Sequence, residues 1–546
     1  MSIFDYVTIP LPKRSKQVLD HPLYTTTDFG KIIPVLLEDV LPGDTFKCKT
    51  AAEIKLFPTL APLRQGIEVR IDYFFVPNRI LWKDWKNFIT GGEDGTAMPV
   101  PPYITGEMIG EVGSLHDYFG LPVSVTRGQT LQPNQGLKVS ALPYRAYSMI
   151  WNEFYRDQNL QDTVDVSDEG GEEGEDLVTN TQLLYRGLKK DYFTSALPWT
   201  QRGPQVTIPI AGEAPITGST SPTTSTAKPN GVFELPPDYQ FPDSNDREAF
   251  FKPTSGSVAA ELRERNVNSS EVGIPMLHEH VVDIPSRPVS GTADLSDATA
   301  VSINELRRLN AVQKWLERNA RAGSRYVEQI LSHFGVRVPD YRLDRPEYIG
   351  GGKQTIGMAE ILQTSETDTS PQGTRSGVGF GNMLTSSRKY FVQEHGWIIG
   401  LMSIVPQFNM YADGVHRKWT RDTKFDYFFK EFQNLGEQAI KNKELYAYSN
   451  QLNLDGDFGY TPRYAEYRYH PGYVTGEMRS SMSYWHMARM FNSAPALNAN
   501  FINTSQNNTW DRLFPTDETL GDRFIVNMYH FERMRRPMQK NPQPSL

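Results

Sequence analysis

The chain has one cysteine, Cys48, among 546 residues. A lone thiol forms no internal disulfide, so nothing in the sequence requires an oxidising compartment. Cys48 stands in a strand-like run and reads as a core residue rather than a nucleophile. Long apolar runs are also missing. The longest, Trp397–Pro406 (WIIGLMSIVP), falls well short of the roughly 20 residues that span a bilayer. The N-terminus, MSIFDYVTIPLPKRSK, has no basic-then-apolar signal pattern. The expectation is a soluble protein made and used on the cytoplasmic side. No nucleophile motif is present. Gly351-Gly352-Lys353 fails as a phosphate loop, because position 347 is Glu where glycine is needed and Gln354 replaces Ser or Thr. Asn453, Asp455 and Asp457 fail as a calcium loop: the glycine is at 456 and no Glu closes the motif. His278-Glu279-His280 lacks a clear third metal ligand. No catalytic residue, cofactor or metal site is assigned.

What is present favours strands and turns. Aromatics make up 12% of the chain, beside 42 Gly and 38 Pro, which suits many short strands better than helical bundles. Hydrophobic residues at 38% permit a packed core. The net charge of −8 argues against a protein that coats nucleic acid over its whole surface, and leaves room for a local basic face.

The organising stretch is Gly66–Trp82, GIEVRIDYFFVPNRILW. Ile67, Val69, Ile71, Tyr73 and Phe75 alternate with Glu68, Arg70 and Asp72, which predicts a strand with one face on a core. Phe74 and Val76 make the far end apolar on both faces, and Pro77-Asn78 stops it. Leu81, Trp82, Trp85, Phe88 and Ile89 follow at mostly helical spacing, closed by Gly91-Gly92. Residues 1–30, with Lys13, Arg14 and Lys16, read as an arm on another surface or a solvated tail. Thr45–Leu56 reads as a core strand, with Pro58 and Pro62 breaking the link that follows. Leu142–Leu160 has the spacing of a helix. Asp165–Asp176 carries seven carboxylates without fixed ligand spacing, and is expected to be a solvated loop.

Thr217–Asn230 is polar and low in complexity, and turn-rich sequence continues to about Ala300. Ser302–Gly335 is the best helical segment. It opens on a Ser302-x-x-Glu305 capping box, carries the stripe Leu306, Leu309, Val312 and Leu316, and breaks at Gly323-Ser324. Its arginines at 307, 308, 318, 321 and 325 are expected on a solvated face. Residues 345–390 read as loop, Trp397–Val405 as a buried strand, and 522–534 as the last strand.

Two stretches interleave bases with aromatics. His416–Lys430 offers Arg417, Lys418, Trp419, Arg421, Lys424, Phe425 and Tyr427. Pro462–His470 offers Arg463, Tyr464, Tyr467, Arg468 and Tyr469. The C-terminal part adds Arg533, Arg535, Arg536 and Lys540. Cations track phosphates and flat rings stack on unpaired bases, so this mixture suits single-stranded DNA without sequence choice. The same residue types also fill cores and subunit interfaces.

Several stretches resemble the major capsid protein of microviruses, most closely the gokushovirus group. They are Glu38–Phe46 (EDVLPGDTF), Tyr73–Trp82 with Phe88–Gly91, Asp191–Pro204 (DYFTSALPWTQRGP), Ile303–Gly352 with RYVEQILSHFGV and RPEYIGGG, Glu394–Gly400 (EHGWIIG), Gly436–Lys443, and Phe458–Ser480 with YAEYRYHPGYVTGEMRSS; the RRPM of the tail also fits. The resemblance implies a mainly β fold: one eight-stranded antiparallel viral jelly-roll domain with long inserted loops and a few short helices. Beside the arm at 1–30 and a tail at 535–546 stands a surface insertion from Thr217 to Ala300, which the resemblance implies builds a threefold protrusion; its polarity and length make it the part expected to meet a host receptor. The resemblance further implies a non-enveloped T=1 icosahedral shell of identical copies around circular single-stranded DNA, assembled in the host cytoplasm. A scaffold protein and a small basic internal DNA-binding protein are the further partners it implies. The competing readings are a β-rich glycosidase with paired carboxylates, for which the acids are too numerous to single out a pair, and a surface adhesin, against which the missing export signal argues.

Overall fold

The computed structural model describes residues 14–204, 206 and 303–540, apart from short segments at 106–109, 124, 127–128, 131–135, 174–178, 324, 367–370, 449–452, 505–507 and 516–520, together with the backbone of a hairpin at 247–253 and 260–266. It divides into two units, Met1–Gln205 with Val312–Leu546, and Val206–Ala311. In the second unit the described part is the antiparallel hairpin Arg247–Pro253/Ala260–Asn266 and the start of a helix. The rest of the insertion, His278-Glu279-His280 and Ser302 lie outside the described residues.

The first unit is built on ten antiparallel strands: β1 Ser15–Val18, β2 His21–Thr27, β3 Ile33–Val40, β4 Thr45–Thr59, β5 Ile67–Pro77, β6 Glu347–Leu362, β7 Arg375–Ser386, β8 Tyr390–Phe391, β9 Gly396–Pro406 and β10 Phe524–Arg536. The hydrogen-bonded path runs β1-β10-β4-β7-β6-β5-β9-β3, with β2 on β10 and β8 on β4. β6 is the corner. Its residues from Glu347 to Ile356 pair with β5, and those from Gly357 to Leu362 pair with β7. The path therefore bends into two faces with the main core between them. Phe46, Cys48, Ile54 and Leu56 of β4 and Phe524, Val526 and Met528 of β10 pack in one cluster with Ile67, Val69, Ile71, Tyr73 and Phe75 of β5. Burial pushes the Cys48 thiol up to about 12, which fits a packing role.

The outer face of β5 is also covered, as its double-apolar end predicts. Phe74, Val76, Ile399 and Leu401 pack on Tyr144, Tyr147, Ile150 and Trp151. These belong to helix α1, Leu142–Ile150, and the single π-helical turn Trp151–Tyr155 that follows it. The polar residues of β5 are not at a solvated surface. Glu68 and Asp72 are buried, held by Lys189 at 2.7 Å and Arg70 at 2.7 Å.

Three further expectations need correction. Residues 345–390 are not loop; they hold the long strands β6 and β7. The first three inward positions of β7 are Gly377, Gly379 and Gly381, and a Cβ on Gly379 would lie 2.7 Å from Leu56 Cβ. Neighbouring side chains fill the space, so the strand shows no apolar alternation. Pro58 does not end β4; it sits at the register shift opposite Gly377 and Gly379. The acidic run is not wholly solvated either. Glu173 is buried and accepts from Arg145 Nε at 3.0 Å and Thr179 Oγ1 at 2.9 Å.

The predicted helical segment is α2, Ile303–Ala322, and α3, Tyr326–Phe334, separated at Gly323 with φ 102° and closed by Gly335 with φ 70°. Its arginines are not all solvated: Arg321 pairs with Glu437, and Arg325 donates to Asn152 O at 2.5 Å. Val312, Trp315, Tyr326, Leu331 and Phe334 are exposed.

Candidate nucleic-acid interface

After β9 the chain leaves the sheet in a series of tight turns. Short 3-10 turns at Arg417–Trp419, Lys424–Asp426 and Lys430–Phe432 lead into a hairpin, Glu437–Lys441 with Asp457–Pro462, and a further 3-10 turn at Ala465–Tyr467. The two basic–aromatic stretches are thereby brought together. Phe428 N donates to Tyr467 Oη at 3.3 Å, Phe429 N to Tyr464 Oη at 3.4 Å, and Arg463 Nη2 to Phe425 O at 3.3 Å.

The candidate cations divide by environment. Arg417 points inward. It donates to Ala439 O at 2.7 Å and pairs with Glu444 at 3.5 Å and Glu466 at 3.9 Å. Burial alone would lower its guanidinium, but Glu444, the Tyr192 hydroxyl and Glu466 outweigh that and hold it above its ordinary value. Glu444 in turn accepts from Tyr192 Oη at 2.9 Å, and burial pushes its carboxyl above the usual carboxylate range. Arg421 is held over two rings, 5.0 Å from the Tyr427 centroid and 4.5 Å from that of Tyr467. Arg463 lies 5.1 Å over the ring of Tyr464, which is itself buried. Lys418, Trp419, Lys424 and Arg468 are exposed, Trp419 at 77%. Phe425, Tyr427, Phe428, Phe429 and Tyr467 continue that exposed aromatic face.

The last three candidates sit on β10. Arg533 pairs with Asp20 and Arg536 with Asp44 at 3.2 Å, while Arg535 is exposed. These two paired arginines fasten the strand's neighbours.

Beside Arg417 lies a cavity of about 480 Å³, whose lining includes Tyr192, His416, Trp419, His470 and Tyr473. His416 and His470 stack with centroids 4.9 Å apart. Burial, then the neighbouring His470 and Lys418, lower the His416 imidazole. These two histidines are the outer ends of the two stretches read from the sequence; only the fold makes them neighbours.

Comparison with known proteins decides the family. The family of phage capsid proteins described as "Capsid protein (F protein)" matches residues 8–546. The chain belongs to that family. Capsid protein VP1 of Chlamydia phage 1 is 33% identical to it, over 100% of this chain and 97% of that protein. Capsid protein VP1 of Bdellovibrio phage phiMH2K is 36% identical over 88% and 86%, and that of Spiroplasma virus 4 is 30% identical over 91% and 88%. The resemblance read from the sequence is thus borne out across the chain. This member of the capsid family is a structural component of a virion and not an enzyme. Its mainly β, antiparallel architecture agrees with that role.

Proposed function

We propose that this capsid protein folds as an eight-stranded jelly roll and assembles into a T=1 icosahedral shell around circular single-stranded DNA. The corner in β6 supports the jelly roll, since a strand that leaves one face for the other is what two packed sheets need. The exposed side chains of α2 and α3, Val312, Trp315, Tyr326, Leu331 and Phe334, support burial against further copies. The genome-facing reading rests on one observation: Lys418, Trp419, Lys424 and Arg468 are exposed beside a run of exposed rings. Such a surface binds phosphates by charge and bases by stacking. A scaffold protein and a small basic internal protein complete the assembly, in the host cytoplasm. The polar insertion from Thr217 to Ala300 meets the host receptor.

Light scattering and negative-stain microscopy of the purified protein, alone and with a co-expressed scaffold, test the shell. Uniform spheres are expected; a small oligomer under both conditions refutes it. Particles that lack residues 217–300 should still form and lose attachment, and normal attachment by them would remove the receptor role.

A further inference from the structure

β3 stands at one end of the strand path, while β1, β2 and β10 stand at the other. Where the curled sheet closes, three ligand-type side chains meet: His21 of β2, Glu38 of β3 and Glu532 of β10. One ligand atom from each lies within 4.8 Å of the others. The register fixes this meeting. His21 is paired with His530 across β2 and β10, so Glu532 comes two residues further along, on the same face of β10 as His530.

The Glu532 side chain is fully buried, with 0% exposure, and among the described residues its carboxyl meets no donor, only the carboxyl of Glu38, with which it can bond solely through a shared proton. Its backbone N–H is satisfied by Asp20 Oδ1 at 2.9 Å. No basic side chain forms an ion pair with Glu38 or Glu532 among the described residues. The guanidinium of Arg536 acts on both but is itself held by Asp44 at 3.2 Å, and Arg533 is held by Asp20. Two carboxylates facing each other at a partly buried seam repel unless a cation or a proton lies between them.

The histidine distinguishes these two solutions. His21 Nδ1 lies 2.9 Å from the Leu19 carbonyl oxygen, which can only accept. Nδ1 therefore carries a proton, and Nε2 is the ring nitrogen left to face the two carboxyls. A backbone carbonyl that fixes the tautomer in this way is the usual support of a metal-bound histidine. A proton shared by the two carboxyls needs only Glu38 and Glu532, whereas a cation also takes the ring nitrogen that the seam places beside them. We propose that His21, Glu38 and Glu532 bind one divalent cation of the zinc type, which ties β2 and β10 to β3 and locks the closure of the sheet. One nitrogen and two carboxylate oxygens suit a borderline cation, with water as a fourth ligand. Tetrahedral ligand atoms stand about 3.4 Å apart, so the side chains close by roughly 1 Å or a little more on binding.

The test uses the full-length chain, stripped with chelator, dialysed, and titrated with zinc chloride. Calorimetry and metal analysis should find one tight site per chain, and zinc should raise the melting temperature. Cobalt in its place should give the visible absorption of a tetrahedral site. Glu38→Gln and His21→Gln should weaken that site by at least about tenfold and abolish the thermal shift. Should both variants fail to fold, the wild-type titration and cobalt spectrum decide alone. Absence of a stoichiometric site in the wild type, or zinc binding and stabilisation unchanged in the variants, overturns the proposal and leaves a shared proton as the solution.

Discussion

The hydroxyl oxygens of Tyr73 and Thr50 lie 2.5 Å apart in the core, one on β5 and the other on β4. Thr50 Oγ1 is also 2.9 Å from Nδ1 of His530 on β10. All three residues are fully buried. A short polar chain thus crosses the interior between the two faces of the sheet. Such a chain favours one arrangement of the faces over sliding alternatives, because each misalignment strands a buried polar atom.

The two ends of that chain should differ in cost. Tyr73→Phe keeps the ring and leaves Thr50 bonded to His530, so a loss of about 1 kcal/mol is expected. Thr50→Val removes the hydroxyl that Tyr73 Oη and His530 Nδ1 share and should cost about 2–4 kcal/mol. Urea unfolding of the unassembled subunit measures both. Equal losses would show that the hydroxyl of Thr50 does not link the other two.

The glycines of β7 are expected to be intolerant of even one methyl group. A Cβ on Gly377 would sit 2.7 Å from Pro62 Cα, and one on Gly379 would sit 2.7 Å from Leu56 Cβ. Alanine at either position should destabilise by about 1–3 kcal/mol through overpacking. Gly357→Ala, where the closest atom is Phe380 O at 3.6 Å, should be close to neutral. Soluble yield and melting temperature rank the three, and a stable Gly379→Ala protein would contradict this packing.

Arg417 and the exposed lysines beside it should respond in opposite ways. Arg417→Ala leaves Glu444 and Glu466 without their cation and should lower stability by about 2–4 kcal/mol. Lys418→Glu with Lys424→Glu should leave the melting temperature unchanged. That pair should weaken single-stranded DNA binding and reduce the salt slope by about 1.4, or about 0.7 for each lost cation. Unaltered affinity and slope would remove these lysines from the DNA-facing surface.

Acid sensitivity should have an identifiable contribution from His116. The ring is buried, with Nδ1 2.7 Å from Tyr144 Oη, and burial lowers its pKa below the ordinary 6.5. The unfolded chain takes up the proton first as pH falls. The stability contributed by the neutral ring is therefore complete above about pH 6.5 and is lost as pH drops from there through the lower folded value, by up to about 1.4 kcal/mol per pH unit. His116→Gln should be less stable at neutral pH and show a shallower acid decline. A parallel decline in both proteins would place the acid sensitivity elsewhere.

Local pattern carried much of this fold. The alternation in Ile67–Pro77, the apolar run Gly396–Pro406 and the two helices divided at Gly323 each follow from side chains within a few residues of one another. β6 and β7 did not show, because glycine takes several of their inward positions, Gly350 in β6 and Gly377, Gly379 and Gly381 in β7, and the space beside those of β7 is filled by Leu56, Thr59 and Ile356. The candidate interface was half legible. Its basic–aromatic composition is plain in the sequence, yet nothing local separates Arg417, turned in to Glu444 and Glu466, from Lys418, turned out.

What the sequence by itself determined is therefore the class of protein, its family, the strands with a clean period and the stretches rich in cations and rings. Only the tertiary structure decided which of those cations are already paired, that His416 meets His470, and that His21, Glu38 and Glu532 converge at the seam of the sheet. The reason is range. Periodicity and composition report on neighbours in the chain, whereas ion pairs, buried carboxylates and glycine contacts depend on residues tens to hundreds of positions apart that only the folded chain brings together.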